Sequence, residues 1–186
     1  SRYRIVRQTI LARRYAKALF SLGKEQNKYE AYNEALSAIA ALYKESPEVG
    51  DSLTNPLYPL EARQKVMAKV AEAASADPML TAFLNLLVEK HRAGILPDIA
   101  QEMQVMVDSE KGISHGSVTS AIELDQALLE KVQATLEKLT GTKVTLATEV
   151  DPAIIGGIIA KVGDLVLDGS IKTQLNGLKE SIKGRD

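Results

Sequence analysis

Two adjacent glycines, Gly156 and Gly157, are the residues of this sequence most easily assigned to chemistry. Glycine-rich loops hold phosphate groups through exposed backbone N–H groups. Here the rest of such a motif is missing, because the sequence contains no G-x-G-x-x-G and no Lys-Ser or Lys-Thr at P-loop spacing. Isoleucines flank the pair on both sides, which favours a strand bulge or a close backbone approach. A small nucleotide-binding enzyme that uses this loop is the alternative hypothesis.

Two carboxylates and two imidazoles are the other candidates for catalysis. Asp164 and Asp168 could form an acid–base pair, but each lies beside a glycine, where aspartate favours local turn hydrogen bonds. His91 and His115 have no partners that define a catalytic triad, and we expect both to be surface or cap residues. With no cysteine, thiolate zinc sites and cysteine nucleophiles are excluded. We therefore expect no catalytic residue, no metal site and no cofactor.

Composition limits the remaining classes of function. The chain has 186 residues, of which 45% are hydrophobic, enough for one ordinary domain or two small ones. A formal net charge of -1 argues against a general nucleic-acid or acidic-lipid binder. The longest apolar runs, such as 79–88 and 154–162, are shorter than the roughly 20 residues that cross a bilayer.

The start of the chain is basic, because seven cations precede the first acidic residue, Glu25. They are Arg2, Arg4, Arg7, Arg13, Arg14, Lys17 and Lys24. A targeting presequence, a solvated helix face, a partner contact and a module that binds RNA or membrane are all compatible with this pattern. Apolar residues from Leu11 to Leu22 recur at helical spacing, which favours a working helix that ends at Gly23.

Helical patterns continue to about residue 110. A second helix runs from Tyr29 to the stop signal Ser46-Pro47, and a short turn near 47–54 precedes a third amphipathic stretch. Asp77-Pro78 is a strong start signal for a helix that is apolar around most of its surface, with Gly94 as its expected C-cap. The last of these helices begins at Pro97-Asp98. The sequence thus predicts six helical pieces before Gly112.

At Gly112 the pattern changes, which predicts a domain boundary between residues 1–110 and 111–186. Strands are expected at 114–123, 143–150, 154–162 and 165–167, with a helix capped by Asp125 and ended by Gly141, and a final helix from Ile171 to Ile182. Gly163-Asp164 is the expected hairpin turn. The fold class is therefore α+β: an N-terminal six-helix bundle followed by a small α/β domain with a short mixed sheet and two helices.

Two segments resemble one protein family. Residues 12–20, ARRYAKALF, resemble the first helix of the δ subunit of F-type ATP synthases, whose mitochondrial form is the oligomycin-sensitivity-conferring protein. The region from Val144 to Gly169 and the following serine is similar to the C-terminal signature of that family. Its matching positions are Asp151, Pro152, Gly156, Gly157, Gly163, Asp164, Asp168, Gly169 and Ser170.

The resemblance implies a non-catalytic stator subunit that resists rotor torque during proton-driven ATP synthesis. It implies one copy per complex, with residues 1–110 bound to N-terminal helices of the α subunits and residues 111–186 bound to the C-terminal ends of the b subunits. No nucleic acid is expected as a partner, and the membrane is contacted only through the complex. The expected location is the cytoplasmic face of a bacterial inner membrane, or the matrix or stroma side in an organelle.

A groove between the first helix and the Asp77-Pro78 helix is the expected site for an α-subunit helix. It would have apolar walls and charged edges. The candidate residues are Arg13, Arg14, Tyr15, Lys17, Ala18, Leu22, Phe83, Leu87 and Lys90. For each apolar member of this set, a place in the bundle core is the alternative.

Overall fold

The computed structural model of the protein describes residues 2–170 and 179–182. The chain divides into two compact units, Ser1–Val107 and Asp108–Asp186. The first contains helices only, and the second is built on a mixed sheet. None of the helices in the described ranges is long and apolar enough to cross a membrane.

Six α-helices form the first unit and run slightly past its end. They are α1 (Arg2–Glu25), α2 (Tyr29–Glu45), α3 (Pro47–Thr54), α4 (Leu60–Ala73), α5 (Pro78–Glu89) and α6 (Leu96–Glu110), with a short 3-10 turn at Ala93–Ile95. The predicted start of α5 is confirmed, since Pro78 is the first helical residue and the Asp77 carboxylate accepts the N–H of Leu80 at 2.8 Å. The predicted end of α2 before Pro47 is also confirmed.

The core of this unit is centred on α5. Five of its twelve residues are buried, namely Leu80, Phe83, Leu84, Leu87 and Val88. The other helices cover them with aliphatic side chains such as Leu19, Leu36 and Met103, each fully buried. Removing apolar surface from water stabilises the folded state by about 25 cal/mol per Å². The burial of α5 is therefore a main source of stability for the bundle.

Three helices end in the same way, and the sequence prediction of two of these ends was wrong. The backbone is left-handed at Asn27, Ser75 and His91, with φ between 56° and 58°. In each case the following N–H bonds to a carbonyl five residues back, as from Arg92 to Leu87 at 2.7 Å, which is a Schellman arrangement. Gly23 and Gly94 therefore do not end α1 and α5.

Gly23 instead permits close packing of two helices. A Cβ atom added there would lie 2.7 Å from the Cα of Tyr29, at the start of α2. The residue lies inside α1, which continues to Glu25. Only glycine allows α2 to turn back so tightly against α1.

Replacing Ser75 by glycine should stabilise the protein. A left-handed conformation costs an L-residue roughly 1–2 kcal/mol and costs glycine little, so Ser75→Gly should raise the free energy of unfolding by about 1 kcal/mol. Denaturant-induced unfolding followed by circular dichroism measures this change. Ser75→Ala keeps the strained conformation and is the control, so an equal gain from both variants would contradict the explanation.

The second unit is a five-stranded sheet with one described helix. The strands are β1 (Ile113–Ser120), β2 (Lys143–Val150), β3 (Gly157–Val162), β4 (Leu165–Ser170) and β5 (Lys179–Ile182), in the order β2-β1-β3-β4-β5. β1 and β2 are parallel, and the other neighbours are antiparallel. Helix α7 (Gln126–Thr140) joins β1 to β2 and packs Val132 and Leu136 on the buried face of the sheet.

The predicted caps of α7 are confirmed. The Asp125 carboxylate accepts the N–H of Leu128 at 2.7 Å, and Gly141 has φ of 69° at the C-cap. The Gly163-Asp164 hairpin is confirmed as well, since Val162 pairs with Leu165 across this two-residue loop.

Several expectations for the second unit were wrong. Lys179–Ile182 is a strand, not the end of a helix, and the rest of that predicted helix, residues 171–178, lies outside the described residues. The predicted third strand begins at Gly157, not at Ile154. Gly156 has φ of 64° and open space around its Cβ position, so it is a turn residue and not a close approach.

The close backbone approach in the sheet lies at Gly116 on β1. A Cβ atom there would lie 2.6 Å from Val162 Cγ2 and 2.7 Å from the carbonyl oxygen of Lys161. β1 can therefore pair with β3 at this point only with glycine.

Candidate functional site

A groove on the surface of α1 is the feature of the first unit best suited to binding. We call it the α1 groove, and it has a volume of about 260 Å³. Its lining residues are Leu11, Arg14, Tyr15, Ala18 and Arg92. The first four recur at three- and four-residue steps and so form one face of α1. Arg92 comes from the turn that follows α5.

Tyr15 forms the fixed aromatic part of this groove. Its ring packs edge-on against Phe83 of α5, with centroids 6.0 Å apart. The guanidinium carbon of Arg92 lies 5.5 Å from the ring centroid, and Arg92 Nη1 donates a hydrogen bond to the Tyr15 hydroxyl at 2.6 Å. Three contacts thus hold the ring in place before any partner arrives.

The edges of the α1 groove are basic. Arg14 and Arg92 are its charged lining residues, and Lys17 is exposed one residue before Ala18. Arg13 is also exposed, but its Nε donates to Glu102 Oε2 at 3.3 Å. An apolar floor with cationic edges suits an amphipathic helix that carries acidic residues beside its apolar stripe.

A second cavity of about 570 Å³ lies between α4 and α5. Its lining is uncharged and consists of Gln64, Met67, Ala68, Ala76, Pro78, Thr81, Ala82 and Asn85. We call it the α4–α5 cavity. It shares no lining residue with the α1 groove and therefore offers an internal control for it.

In the second unit, the glycines and aspartates singled out by the sequence lie partly in turns and partly in strands. Asp164 lies in the expected turn, whereas the turn expected at Asp168 is wrong, because this residue lies within β4. The Asp151 carboxylate accepts the N–H of Ala153 at 3.0 Å, which closes a local turn after β2. Gly156 precedes β3 and Gly157 is its first residue, so this glycine pair leads into a strand and not into the helix N-terminus of a phosphate site. The part of the chain that the structure describes contains no cluster of three His, Asp or Glu suited to a metal ion.

The two histidines are surface residues in turn and strand positions. His91 occupies the left-handed position after α5, and its Nδ1 lies 3.1 Å from Arg63 Nη1. His115 lies on β1, with Nε2 2.5 Å from an Asp108 carboxylate oxygen and Nδ1 2.6 Å from the Thr145 hydroxyl. Both are exposed, as expected from the sequence.

Comparison with known proteins identifies the family. The model of the ATP synthase delta (OSCP) subunit family matches residues 11–182. The ATP synthase subunit delta of Desulfotalea psychrophila is 65% identical over 97% of this chain and 100% of its own length. That of Desulfatibacillum aliphaticivorans is 44% identical over 93% of this chain and 94% of its own.

The chain belongs to the ATP synthase delta (OSCP) subunit family. A solved structure agrees with this assignment: a chain of the Toxoplasma gondii mitochondrial ATP synthase hexamer, determined by electron cryomicroscopy, is similar with a TM-score of 0.62 and 27% identity. The match covers 89% of this chain and 93% of that one. As a family member, the protein is a non-catalytic peripheral-stalk subunit of a membrane-associated F-type ATP synthase.

The delta-family groove predicted from the sequence is only partly assembled by the fold. Arg14, Tyr15 and Ala18 line one groove, and Arg13, Lys17 and Lys90 are exposed. Leu87 is completely buried and Phe83 is 8% exposed, so these two belong to the core, with Phe83 supporting Tyr15 from below. Leu22 is half-buried and does not line the groove.

Sequence reasoning missed Leu11 and Arg92 as groove residues. The spacing of Leu11 marks it only as part of an apolar helix face. Arg92 lies in a turn beyond the end of α5, so the helical spacing of apolar residues makes no prediction about its position. Its place over Tyr15 depends on how α5 packs against α1.

Asp77 fixes the N-terminal end of α5 against α2. Besides capping α5, its carboxylate accepts hydrogen bonds from the Tyr32 hydroxyl at 2.8 Å and from Lys28 Nζ at 3.0 Å. Burial alone would raise the pKa of Asp77, but the hydrogen bonds from Leu80 N–H, Lys28 and Tyr32 lower it below its ordinary value of 3.8. Burial and the bond to Asp77 raise the pKa of Tyr32 to about 12.

The charge on Asp77 should make the stability of the bundle depend on pH in the acid range. Its pKa is lower in the folded state, so its contribution is present above the ordinary value of 3.8 and is lost as pH falls toward the lower folded-state pKa. Asp77→Asn keeps a capping oxygen and removes this contribution. Wild type should exceed Asp77→Asn in unfolding free energy by about 1–2 kcal/mol at pH 7, and by less at pH 3.

Urea denaturation at a series of pH values measures that difference. Asp51→Asn, at an exposed aspartate of α3, is the control for loss of one negative charge. A gap between wild type and Asp77→Asn that stays constant from pH 7 to pH 3 would rule out the ionised carboxylate as its cause.

Proposed function

We propose that this subunit ties the catalytic head of the ATP synthase to the peripheral stalk, one copy per complex. Residues 1–110 hold N-terminal helices of the α subunits, and residues 111–186 hold the C-terminal ends of the b subunits. The subunit thereby resists the torque that the rotor exerts on the head. Association with an ATP synthase is supported by the similarity to a chain of the Toxoplasma gondii complex.

The observation that best supports a contact with the catalytic head is the geometry of the α1 groove. An α-subunit helix would place its apolar stripe on Leu11, Tyr15 and Ala18, with acidic residues beside Arg14 and Arg92. Because Ala18 is small and exposed, a helix can approach α1 closely at this point. Tyr15 is already held by Phe83 and Arg92, so little conformational entropy is lost when it becomes a binding anchor.

Two separate attachments suit a part under mechanical load. When one contact opens, the other keeps the partners at a high effective concentration, and the first contact closes again before the complex separates. The division of the chain into two compact units provides room for one attachment on each.

The proposed location is the cytoplasmic face of a bacterial inner membrane, where the protein is peripheral and reaches the membrane only through the complex. The similar delta subunits of Desulfotalea psychrophila and Desulfatibacillum aliphaticivorans are both bacterial, which supports this placement over an organellar one.

Filling the α1 groove should weaken binding of the α-subunit helix. Ala18→Trp places an indole where the partner must approach, and we expect at least a tenfold higher Kd, equivalent to about 1.4 kcal/mol. Calorimetric titration of the full chain with a synthetic α-subunit N-terminal peptide from the same organism measures it. Arg14→Ala should act mainly on the association rate and its salt dependence.

Ala82→Trp is the matched control, since Ala82 is an exposed alanine of α5 that lines the α4–α5 cavity. It should leave the Kd unchanged. Weaker binding by Ala82→Trp with normal binding by Ala18→Trp would move the site to that cavity. No binding of the peptide to the wild type would contradict the proposed contact itself.

A further inference from the structure

We propose that the second unit binds a basic amphipathic helix of the stalk in a groove between α7 and the C-terminal half of β2. We call this groove the α7–β2 groove. The inference rests on the proposed function, which assigns stalk binding to this unit. It adds the surface that is used and the chemistry of the segment that fits it.

The α7–β2 groove is formed where α7 stops covering the sheet. β2 is the edge strand of the described sheet, and its alternate residues Val144, Leu146, Thr148 and Val150 face α7. Their burial decreases along the strand: Val144 is 1% exposed, Leu146 is half-buried, Thr148 is exposed, and Val150 is 54% exposed. The end of the strand therefore presents a face that in other sheets a helix would cover.

Two adjoining cavities mark this uncovered face. One has a volume of about 70 Å³ and the other about 180 Å³, and both are lined by Leu129 of α7 and Thr148 of β2. Because they share these two lining residues, the cavities lie side by side, and together they make up the α7–β2 groove. Its apolar lining residues are Val118, Leu124, Leu129, Leu146 and Val150.

All charged lining residues of the α7–β2 groove are acidic. They are Glu123, Glu130 and Glu149, and the other lining residues are apolar or uncharged. The α1 groove has the opposite character, with Arg14 and Arg92 as its charged lining residues. Charge complementarity therefore assigns a segment with Lys or Arg beside its apolar stripe to the α7–β2 groove, and it disfavours the acidic helix that suits the α1 groove.

A helix fits this groove better than an added strand. The groove is walled on one side by Gln126, Leu129 and Gln133 of α7, so an occupant is contacted through side chains on two elements. A strand paired to the edge of β2 would use the backbone of β2 and leave most of the α7 wall uncovered.

Substitutions on the two faces of β2 test the proposal. The full chain is titrated with a synthetic peptide of the C-terminal segment of the b subunit from the same organism. Thr148→Arg blocks the groove and adds a like charge to the basic partner, so the Kd should rise about tenfold or more. Ala147→Arg places the same side chain on the opposite face of the same strand, where Ala147 is exposed, and should leave the Kd within about twofold.

A pair of charge-neutralising variants tests the acidic edges without adding bulk. Glu123→Gln with Glu130→Gln should raise the Kd about fivefold at low salt and have little effect at high salt. The control is Asp164→Asn with Asp168→Asn, which removes two exposed carboxylates separated from β2 by β1 and β3. If circular dichroism shows that Thr148→Arg is unfolded, the comparison between the two charge-neutralising double variants decides the result.

The outcomes separate this inference from the proposed function. If the b-subunit peptide binds the wild-type chain and neither groove variant differs from its control in Kd, the α7–β2 groove is not the site, while the proposed stalk contact stands. If no b peptide binds the wild-type chain, the stalk contact and this inference both fail. If sedimentation shows that the chain self-associates and Thr148→Arg abolishes this, the occupant is a second copy and the inference is overturned.

Discussion

Burial of α5 is the constraint on which the helical unit depends. The helix is apolar around most of its circumference, so it is stable only when other helices surround it. Asp77 fixes its first turn by capping it and by accepting hydrogen bonds from α2, and His91 ends it in a left-handed turn. Phe83 then lies under Tyr15, and Arg92 emerges over the same ring. The shape of the α1 groove therefore follows from the packing of a helix that contributes no charged side chain to it.

The net charge of the whole chain is close to zero, although two of its grooves carry charges of opposite sign. A net charge of -1 argues against a general polyanion binder, but it says nothing about local grooves. One groove has arginines as its charged residues and the other has glutamates. Under the proposed contacts with the head and the stalk, this difference in charge would lower the affinity of each groove for the wrong partner.

Glycines show where sequence reasoning succeeds and where it does not. Gly141 and Gly163 were predicted correctly, because a helix end and a two-residue hairpin each need a residue that accepts positive φ. Gly23 and Gly116 are needed for a different reason, since another segment passes where a side chain would stand. For Gly116 that segment is 45 or more residues away in sequence, so no local pattern identifies it.

The sequence by itself determined the elements whose causes are local. Helical spacing, the Asp77-Pro78 and Asp125 starts and the alternation of β2 specified most helices and strands, and the two family motifs specified the stator class. Only the tertiary structure decided which apolar residues of α1 and α5 are exposed. Helical periodicity gives the direction of a side chain on its own helix, but it does not say whether a neighbouring helix covers that side chain. Phe83 and Leu87 are covered, while Ala18 is not, because that outcome depends on packing between segments far apart in the chain.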